Sequence, residues 1–266
     1  IHNRRSRFAV TTQTPFDRLS DRFNRNIYNS PKGQIRLALL QQDLSALLST
    51  PAQLILDAGG GQGQLASWCA QQGHQLVLCD MSATMLEEAQ QLARAANLQA
   101  QFEFIHSPIE DFCQQDTRQF DLILCHAVLE WVTDPKTLLE SLEQRLKPGG
   151  KLSLMFYNRH SIVLRNALRG NFRKALSPNL DGDGTGLTPI NPCDPQQIEA
   201  LLEGLNLQIE SRAGVRCFYD YLPLPVRKNY SFEDILELEC RFRQQPPYIE
   251  MARYIHLIVR KPNTLN

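Results

Sequence analysis

The sequence predicts an α/β domain with a mostly parallel seven-stranded sheet, an antiparallel edge strand and an N-terminal helical cap. Three observations lead there. Between Leu54 and Asn158, short apolar runs alternate with helical patterns, which is the mark of repeated β-α-β units. The first run ends in a cluster of glycines, Gly59, Gly60, Gly61 and Gly63. Near the C-terminus two further apolar runs flank one helix, an order that puts an antiparallel strand at the sheet edge. At 266 residues the chain can bury one large core with additions.

Taken in order, Phe16–Leu48 reads as two helices split at Asn29-Ser30-Pro31, placed over the C-terminal ends of the strands. LILDAGG (Leu54–Gly60) is a buried strand and GQLASWCAQQG (Gly63–Gly73) its helix. HQLVLCD (His74–Asp80) is the second strand, followed by a helix over Ser82–Leu98 with Ser82 as N-cap. QFEFIHS, FDLILCHAVLEW and GGKLSLMFYN each supply a further strand, and TLLESLEQRLKPGG is a helix stopped by Pro148 and its glycines. Gln208–Leu222 and Ala252–Pro262 are the last two strands, around a helix over Phe232–Gln245. Ser177–Pro195 is rich in Gly, Pro and Asp and reads as a long loop. The expected organisation is a disordered segment over 1–15, a helical cap over 16–50, and a main domain over 51–266 with a loop/helix insertion at about 158–195.

Asp57-Ala58-Gly59-Gly60-Gly61-Gln62-Gly63 lies where the first strand turns into its helix, and glycines there allow a ligand to approach bare backbone. A dinucleotide-binding G-x-G-x-x-G would need glycine at position 64, which is Gln64. The match to D-x-G-x-G-x-G is complete, and this pattern resembles the first motif of the class I methyltransferases, which bind S-adenosylmethionine. Later strand ends carry compatible chemistry. Asp80 can accept from both hydroxyls of a ribose, Ser107–Asp111 offers amides and an apolar surface to an adenine, and His126 lies near the methionine part.

The segments FNRNIYNSPKGQIRLALLQQDL, LDAGGGQGQ, ILCHAVLEWVTDP, LKPGGKLSLMFYN, GVRCFYDY and ARYIHLIVRKP resemble the tRNA 5-carboxymethoxyuridine methyltransferase family over nearly all of residues 16–262. The resemblance implies a Rossmann-like class I methyltransferase fold. It also implies a tRNA-modifying activity that esterifies the oxyacetate carboxylate of a wobble uridine, with the anticodon stem-loop as partner. It places Arg36 on the cofactor carboxylate, Gly59 and Gly60 against it through their backbone, Asp80 on the ribose, Pro108 and Ile109 by the adenine, and His126 beside the amino-acid part. A guanidinium suits that first role, because it holds a carboxylate through two parallel hydrogen bonds. Asp57 opens the same motif and is counted with the cofactor residues.

A carboxylate nucleophile is already ionised at neutral pH, with an ordinary pKa of about 4, so no catalytic acid or base is expected. Positioning and partial desolvation should supply most of the rate. Tyr157 and Arg159, just past the fifth strand, are expected to orient the oxyacetate. Three other readings stay open: a small-molecule O- or N-methyltransferase on the same fold, a cofactor-binding regulator without turnover, and a dehydrogenase, which Gln64 disfavours.

Composition bounds the setting. The chain carries 28 Lys and Arg against 28 Asp and Glu, yet residues 1–36 hold eight cations and two acids, and residues 151–175 hold six cations and no acid. A neutral chain with two basic segments can bind a polyanion on one face. Within the second segment, Arg165, Arg169 and Arg173 recur every four residues beside Leu164, Leu168 and Phe172. The cationic stripe is expected to hold the phosphates of an anticodon stem, the apolar one to pack in the core, and Gly170-Asn171 to break the helix before Arg173. The seven cysteines show neither a C-x-x-C pair nor metal-ligand spacing, so reduced thiols and no metal are expected. With no apolar run of the roughly 20 residues that span a bilayer, and no signal-peptide core, the protein is expected to be cytoplasmic and to make no membrane contact.

Overall fold

Helix α1 (Pro31–Leu48) begins at Ser30, whose hydroxyl accepts from the Gly33 amide while Pro31 takes the first helical position, where its missing N–H is no loss. The computed structural model describes residues 30–49, 51–182 and 189–263. The expected segment 1–15 and the first cap helix lie outside the described residues. α1 buries Ile35, Leu39, Leu40, Leu44 and Leu48, a stripe at helical spacing.

From there the alternation holds: β1 (Leu54–Ala58), α2 (Gln64–Gln71), β2 (Gln75–Asp80), α3 (Ala83–Ala95), β3 (Phe102–His106), α4 (Ile109–Gln115), β4 (Phe120–His126), α5 (Pro135–Arg145) and β5 (Leu146–Tyr157). Helices α6 (Arg159–Leu168), α7 (Phe172–Ala175) and α8 (Pro195–Gly204) lead into β6 (Gln208–Val215). After α9 (Leu224–Asn229), α10 (Phe232–Phe242) and α11 (Tyr248–Met251), the chain closes with β7 (Tyr254–Arg260). The seven strands stand in the order β3-β2-β1-β4-β5-β7-β6. β1 to β5 are parallel, and β7 runs antiparallel to both β5 and β6. The antiparallel pairing is thus at the expected side of the sheet, with β7 one place in from the edge.

Strand alternation splits the core in two. Ile55, Leu76, Leu78, Leu122 and Leu124 face α1, α2, α3 and α10, whereas Leu56, Val77, Ile123 and Cys125 face α4, α5 and α8. Each fully buried Leu or Ile contributes about 1.5–3 kcal/mol. Six of the seven cysteines are buried, and all are free thiols. No helix among the described residues is long and apolar enough to cross a membrane.

Two boundaries and one face expected to be buried depart from the sequence reading. α5 ends at Arg145 rather than at Pro148, because Leu146 is already extended and pairs with Phe120 in the sheet. β6 stops at Val215, since Arg216 takes a left-handed backbone (φ 63°). The turn that follows is held by the buried Glu239 carboxylate, which accepts from the amides of Cys217, Phe218 and Tyr219. The third departure is the apolar stripe of α6 and α7. Leu168 is 64% exposed and Phe172 61%, so the stripe is not core packing. α6 docks by its first turns through Ser161 and Ile162, and the chain turns at Gly170 (φ 72°), which leaves the rest of the segment outside the two cores. The expected helix break before Arg173 is present.

Candidate functional site

The C-terminal ends of the five parallel strands open onto one cavity of about 450 Å³. Its position, at the point where β1 is flanked by β2 on one side and β4 on the other, is where ligands bind in open α/β sheets.

The glycine turn forms one wall. Gly59, Gly61 and Gly63 all have positive φ (74°, 55° and 68°), a conformation that side chains resist. At Gly59 a Cβ would also lie 2.6 Å from Val128 Cγ2, so the cradle is shaped by the missing side chain. Asp57, beneath the turn, is buried, and burial together with the Asp80 charge pushes its carboxyl up to about 7. Asp80, at the end of β2, accepts from the Gly61 amide (2.8 Å) and the Ser82 amide (2.8 Å), which orients its carboxylate. Ser82 also caps α3, as expected. Pro108 and Ile109 close the β3 side at the start of α4.

Arg36, from α1, and His126, from β4, line the opposite end. His126 is held from behind by a buried chain of polar groups. Its Nε2 is 2.8 Å from Ser153 Oγ on β5, and that oxygen is 2.8 Å from His256 Nε2 on β7. His256 Nδ1 is 2.6 Å from Asp43 Oδ2 on α1, and Asp43 pairs with the fork of the buried Arg243. Arg243 in turn donates through Nε to the Gly214 carbonyl (3.0 Å). Burial opposes ionisation of Asp43, but the hydrogen bonds from Arg243 and His256 hold its carboxyl down at about 2. Burial, followed by the charges of His256 and Arg36, drives His126 well below the usual imidazole range, so the ring is neutral at physiological pH.

Tyr157, at the end of β5, is 3% exposed and lines the cavity with Tyr254, its partner across the β5–β7 ladder. The rings meet edge to face at 5.3 Å. Burial raises the Tyr157 phenol to about 12, which keeps its hydroxyl a donor at neutral pH. Glu130, 1% exposed, also lines the cavity, and burial lifts its carboxyl to about 7.

Eight of the residues singled out from sequence therefore share this cavity: Arg36, Asp57, Gly59, Gly60, Asp80, Pro108, Ile109 and His126, with Tyr157 at its far wall. Arg159, Arg165 and Arg169 are not among the lining residues. Arg159 turns away to Asp194 (3.7 Å) beside a second hollow, Arg165 is half-buried near Tyr157, and Arg169 is exposed. Sequence reading missed Glu130 and Tyr254. Glu130 lies within the segment HAVLEWV, only four residues past His126, and Tyr254 joins the cavity only when β7 is inserted beside β5.

Four carboxyl groups (Asp57, Asp80, Glu110 and Glu130) and one guanidinium on the same cavity suit a ligand that carries both a cationic centre and a carboxylate. Comparisons with known proteins agree. A methyltransferase-domain family model matches residues 56–154. The tRNA 5-carboxymethoxyuridine methyltransferase of Escherichia coli strain K12 is 44% identical over 252 residues, covering 94% of this chain and 97% of that protein. A ubiquinone biosynthesis O-methyltransferase of Xanthomonas oryzae pv. oryzae is 28% identical over 173 residues, 65% of this chain and 70% of the relative. Among solved structures, the magnesium protoporphyrin IX methyltransferase of Synechocystis with bound SAH superposes with a TM-score of 0.65 at 16% identity, covering 94% and 97% of the two chains. At that identity the likeness concerns the fold.

Proposed function

The chain belongs to the tRNA 5-carboxymethoxyuridine methyltransferase family, and on that premise we propose that it methylates the carboxylate of 5-carboxymethoxyuridine at the wobble position of tRNA anticodons, using S-adenosylmethionine. The observation that carries this reading is the extent of the match. The general methyltransferase model stops at residue 154, whereas the 44% identity runs over 94% of the chain and so includes the cationic helices and the β6–β7 edge.

When bound, S-adenosylmethionine supplies an electrophilic methyl group on a sulfonium and leaves as a neutral thioether. Arg36 takes the carboxylate of its amino-acid part, His126 flanks that part, and the backbone of Gly59 and Gly60 approaches it. Asp80 receives the ribose hydroxyls and Pro108 and Ile109 cover the adenine. Asp57 adds negative potential beneath the turn, against a cationic ligand. The substrate carboxylate needs no base to become a nucleophile, so this chain's work is to align it and to strip part of its water. Tyr157 and Tyr254 form an apolar, aromatic wall suited to an unstacked base. Arg165 and Arg169, at the end of α6, add positive charge for the tRNA, the half-buried Arg165 toward the substrate nucleotide and the exposed Arg169 toward the phosphates of the anticodon stem. Arg159, which turns to Asp194, is left out of the oxyacetate contact.

The test is incubation with labelled methyl donor and tRNA carrying 5-carboxymethoxyuridine, followed by nucleoside analysis. A base-labile methyl ester on that nucleoside is the expected product. Label on a small quinol-like phenol, with none in tRNA, would favour a small-molecule O-methyltransferase.

A further inference from the structure

We propose that Arg253, with Arg165 and Lys32, forms the receiving site for the anionic group of the substrate nucleotide, behind the Tyr157–Tyr254 wall of the cavity. This rests on the tRNA reading above and names the residues that would recognise the substrate's charge.

Four cations from four places in the chain converge there. Lys32 comes from the first turn of α1, Arg165 from α6, Arg216 from the turn after β6, and Arg253 from the residue before β7. One buried acid, Asp220, stands among them. Arg216 claims one oxygen of it through an Nε hydrogen bond at 2.7 Å and an Nη2 ion-pair contact at 2.5 Å, and both side chains are almost fully buried. Lys32 Nζ reaches only 4.0 Å from the other oxygen. With Asp220 matched to Arg216, three cations remain over.

Arg253 is the informative one. Its guanidinium carbon lies 4.3 Å from the centre of the Tyr157 ring, a cation–π contact. Its Nε and Nη1 are buried and have no hydrogen-bond partner among the described residues. Buried donors without partners are costly, and an arriving acceptor relieves that cost. The backbone around Arg253 is fixed on both sides: its amide donates to the Arg216 carbonyl (3.1 Å) and its carbonyl accepts from the Asn158 amide (3.1 Å). The fork is therefore held by the ends of β5, β6 and β7. Burial and the neighbouring positive charges both disfavour the protonated forms of Arg165 and Lys32, although Asp220 partly offsets this for each. An arriving anion relieves that repulsion and completes the Arg253 hydrogen bonds. A planar guanidinium accepts either a carboxylate or a phosphate. Both groups belong to the nucleotide, the first at the reacting oxyacetate and the second one sugar away.

The experiment follows the side-chain ¹⁵Nε–H resonance of Arg253 in full-length protein saturated with S-adenosylhomocysteine. Titration with 5-carboxymethoxyuridine nucleoside tests the carboxylate, and titration with uridine 5′-monophosphate tests the phosphate. A saturable shift with the first alone assigns the site to the oxyacetate, and with the second alone to the backbone phosphate. No shift with either overturns the proposal. Arg253→Met, Arg253→Lys and Arg165→Gln extend the test to turnover: a KM for modified stem-loop RNA raised about tenfold or more by the first, with partial recovery in the second, is expected. An unchanged KM in both folded Arg253 variants also overturns it. Wild-type protein that fails to methylate the modified RNA would sink the functional reading, while the Arg253 resonance would still report whether the site takes an anion.

Discussion

Asp43 Oδ2 on α1 stands 2.6 Å from His256 Nδ1 on β7, joining two residues 213 positions apart. The contact orders the protons of everything beyond it. With the ionised Asp43 accepting, His256 Nδ1 carries the hydrogen, and in the expected order Ser153 Oγ–H donates to His256 Nε2. Ser153 Oγ then accepts from His126 Nε2–H, which leaves His126 Nδ1 as an acceptor. Arg36 lies on the same helix as Asp43, seven residues earlier, so the helix that anchors the relay also delivers the cavity's guanidinium. An acceptor nitrogen suits an ammonium group. Long-range ¹H–¹⁵N correlation should find His126 as the Nε2–H tautomer; the Nδ1–H form would break this ordering.

Ser153→Ala removes the middle of the relay and leaves two buried ring nitrogens without partners. The expected cost is about 1–3 kcal/mol of stability. Weaker S-adenosylhomocysteine binding should accompany it, and Ser153→Thr should recover part of both. Calorimetric titration and denaturant unfolding check the pair.

The neutrality of His126 has a pH signature. Its folded pKa is depressed, mainly by burial, so the unfolded chain binds the extra proton first as pH falls below about 6.5. Stability should therefore drop as pH falls from that value. In His126→Asn the slope of unfolding free energy against pH should be smaller by up to about 1.4 kcal/mol per unit. Equal slopes would show that this ring is not the group titrating.

Asp57 has the opposite sign. Its carboxyl is raised to about 7, so between its unfolded value of about 4 and pH 7 the folded state holds a proton that the unfolded state has lost. The ligand-free protein should lose stability over that window and level off above it. Asp57→Asn should flatten the fall while weakening S-adenosylmethionine binding at pH 8. Thermal unfolding at pH 5 and pH 8, with and without ligand, separates the two effects.

Gly59→Ala places a Cβ 2.6 Å from Val128 Cγ2 at a left-handed backbone position. Strain of about 1–2 kcal/mol and a blocked cradle are expected together. Binding of S-adenosylhomocysteine should fall at least about tenfold, since each such factor corresponds to about 1.4 kcal/mol.

Charge reversal at Arg165 and Arg169 should raise the KM for tRNA and leave cofactor affinity alone. For every phosphate no longer neutralised, the salt dependence of tRNA binding should fall by about one unit of slope. Filter binding between low and moderate salt reads this directly, and an unchanged slope would return α6 to an ordinary surface helix.

The parallel half of the fold was legible because β1 to β5 are short apolar runs whose chemistry sits at their C-terminal ends. The glycine turn, Asp80 and His126 followed from order along the chain, Arg36 came from the family resemblance, and all eight candidate residues line one cavity. The partners of Tyr157 were not legible in the same way. Tyr157 meets Tyr254 and Arg253 only because β7 enters antiparallel beside β5, and no local pattern announces that register. The α6–α7 stripe failed differently: Leu168 and Phe172 have the spacing of a core face, but the turn at Gly170 carries them outward. The relay was invisible in sequence, since Asp43, Ser153, Arg243 and His256 lie on separate stretches of the chain.

The central claim is a methyl ester made on the oxyacetate of a wobble uridine, and nucleoside analysis of tRNA after reaction with labelled S-adenosylmethionine tests it most directly. Label in a base-labile ester of 5-carboxymethoxyuridine, absent when the tRNA lacks that nucleoside, is the expected result. Label retained after mild base, or found equally in tRNA without the oxyacetate group, would contradict it.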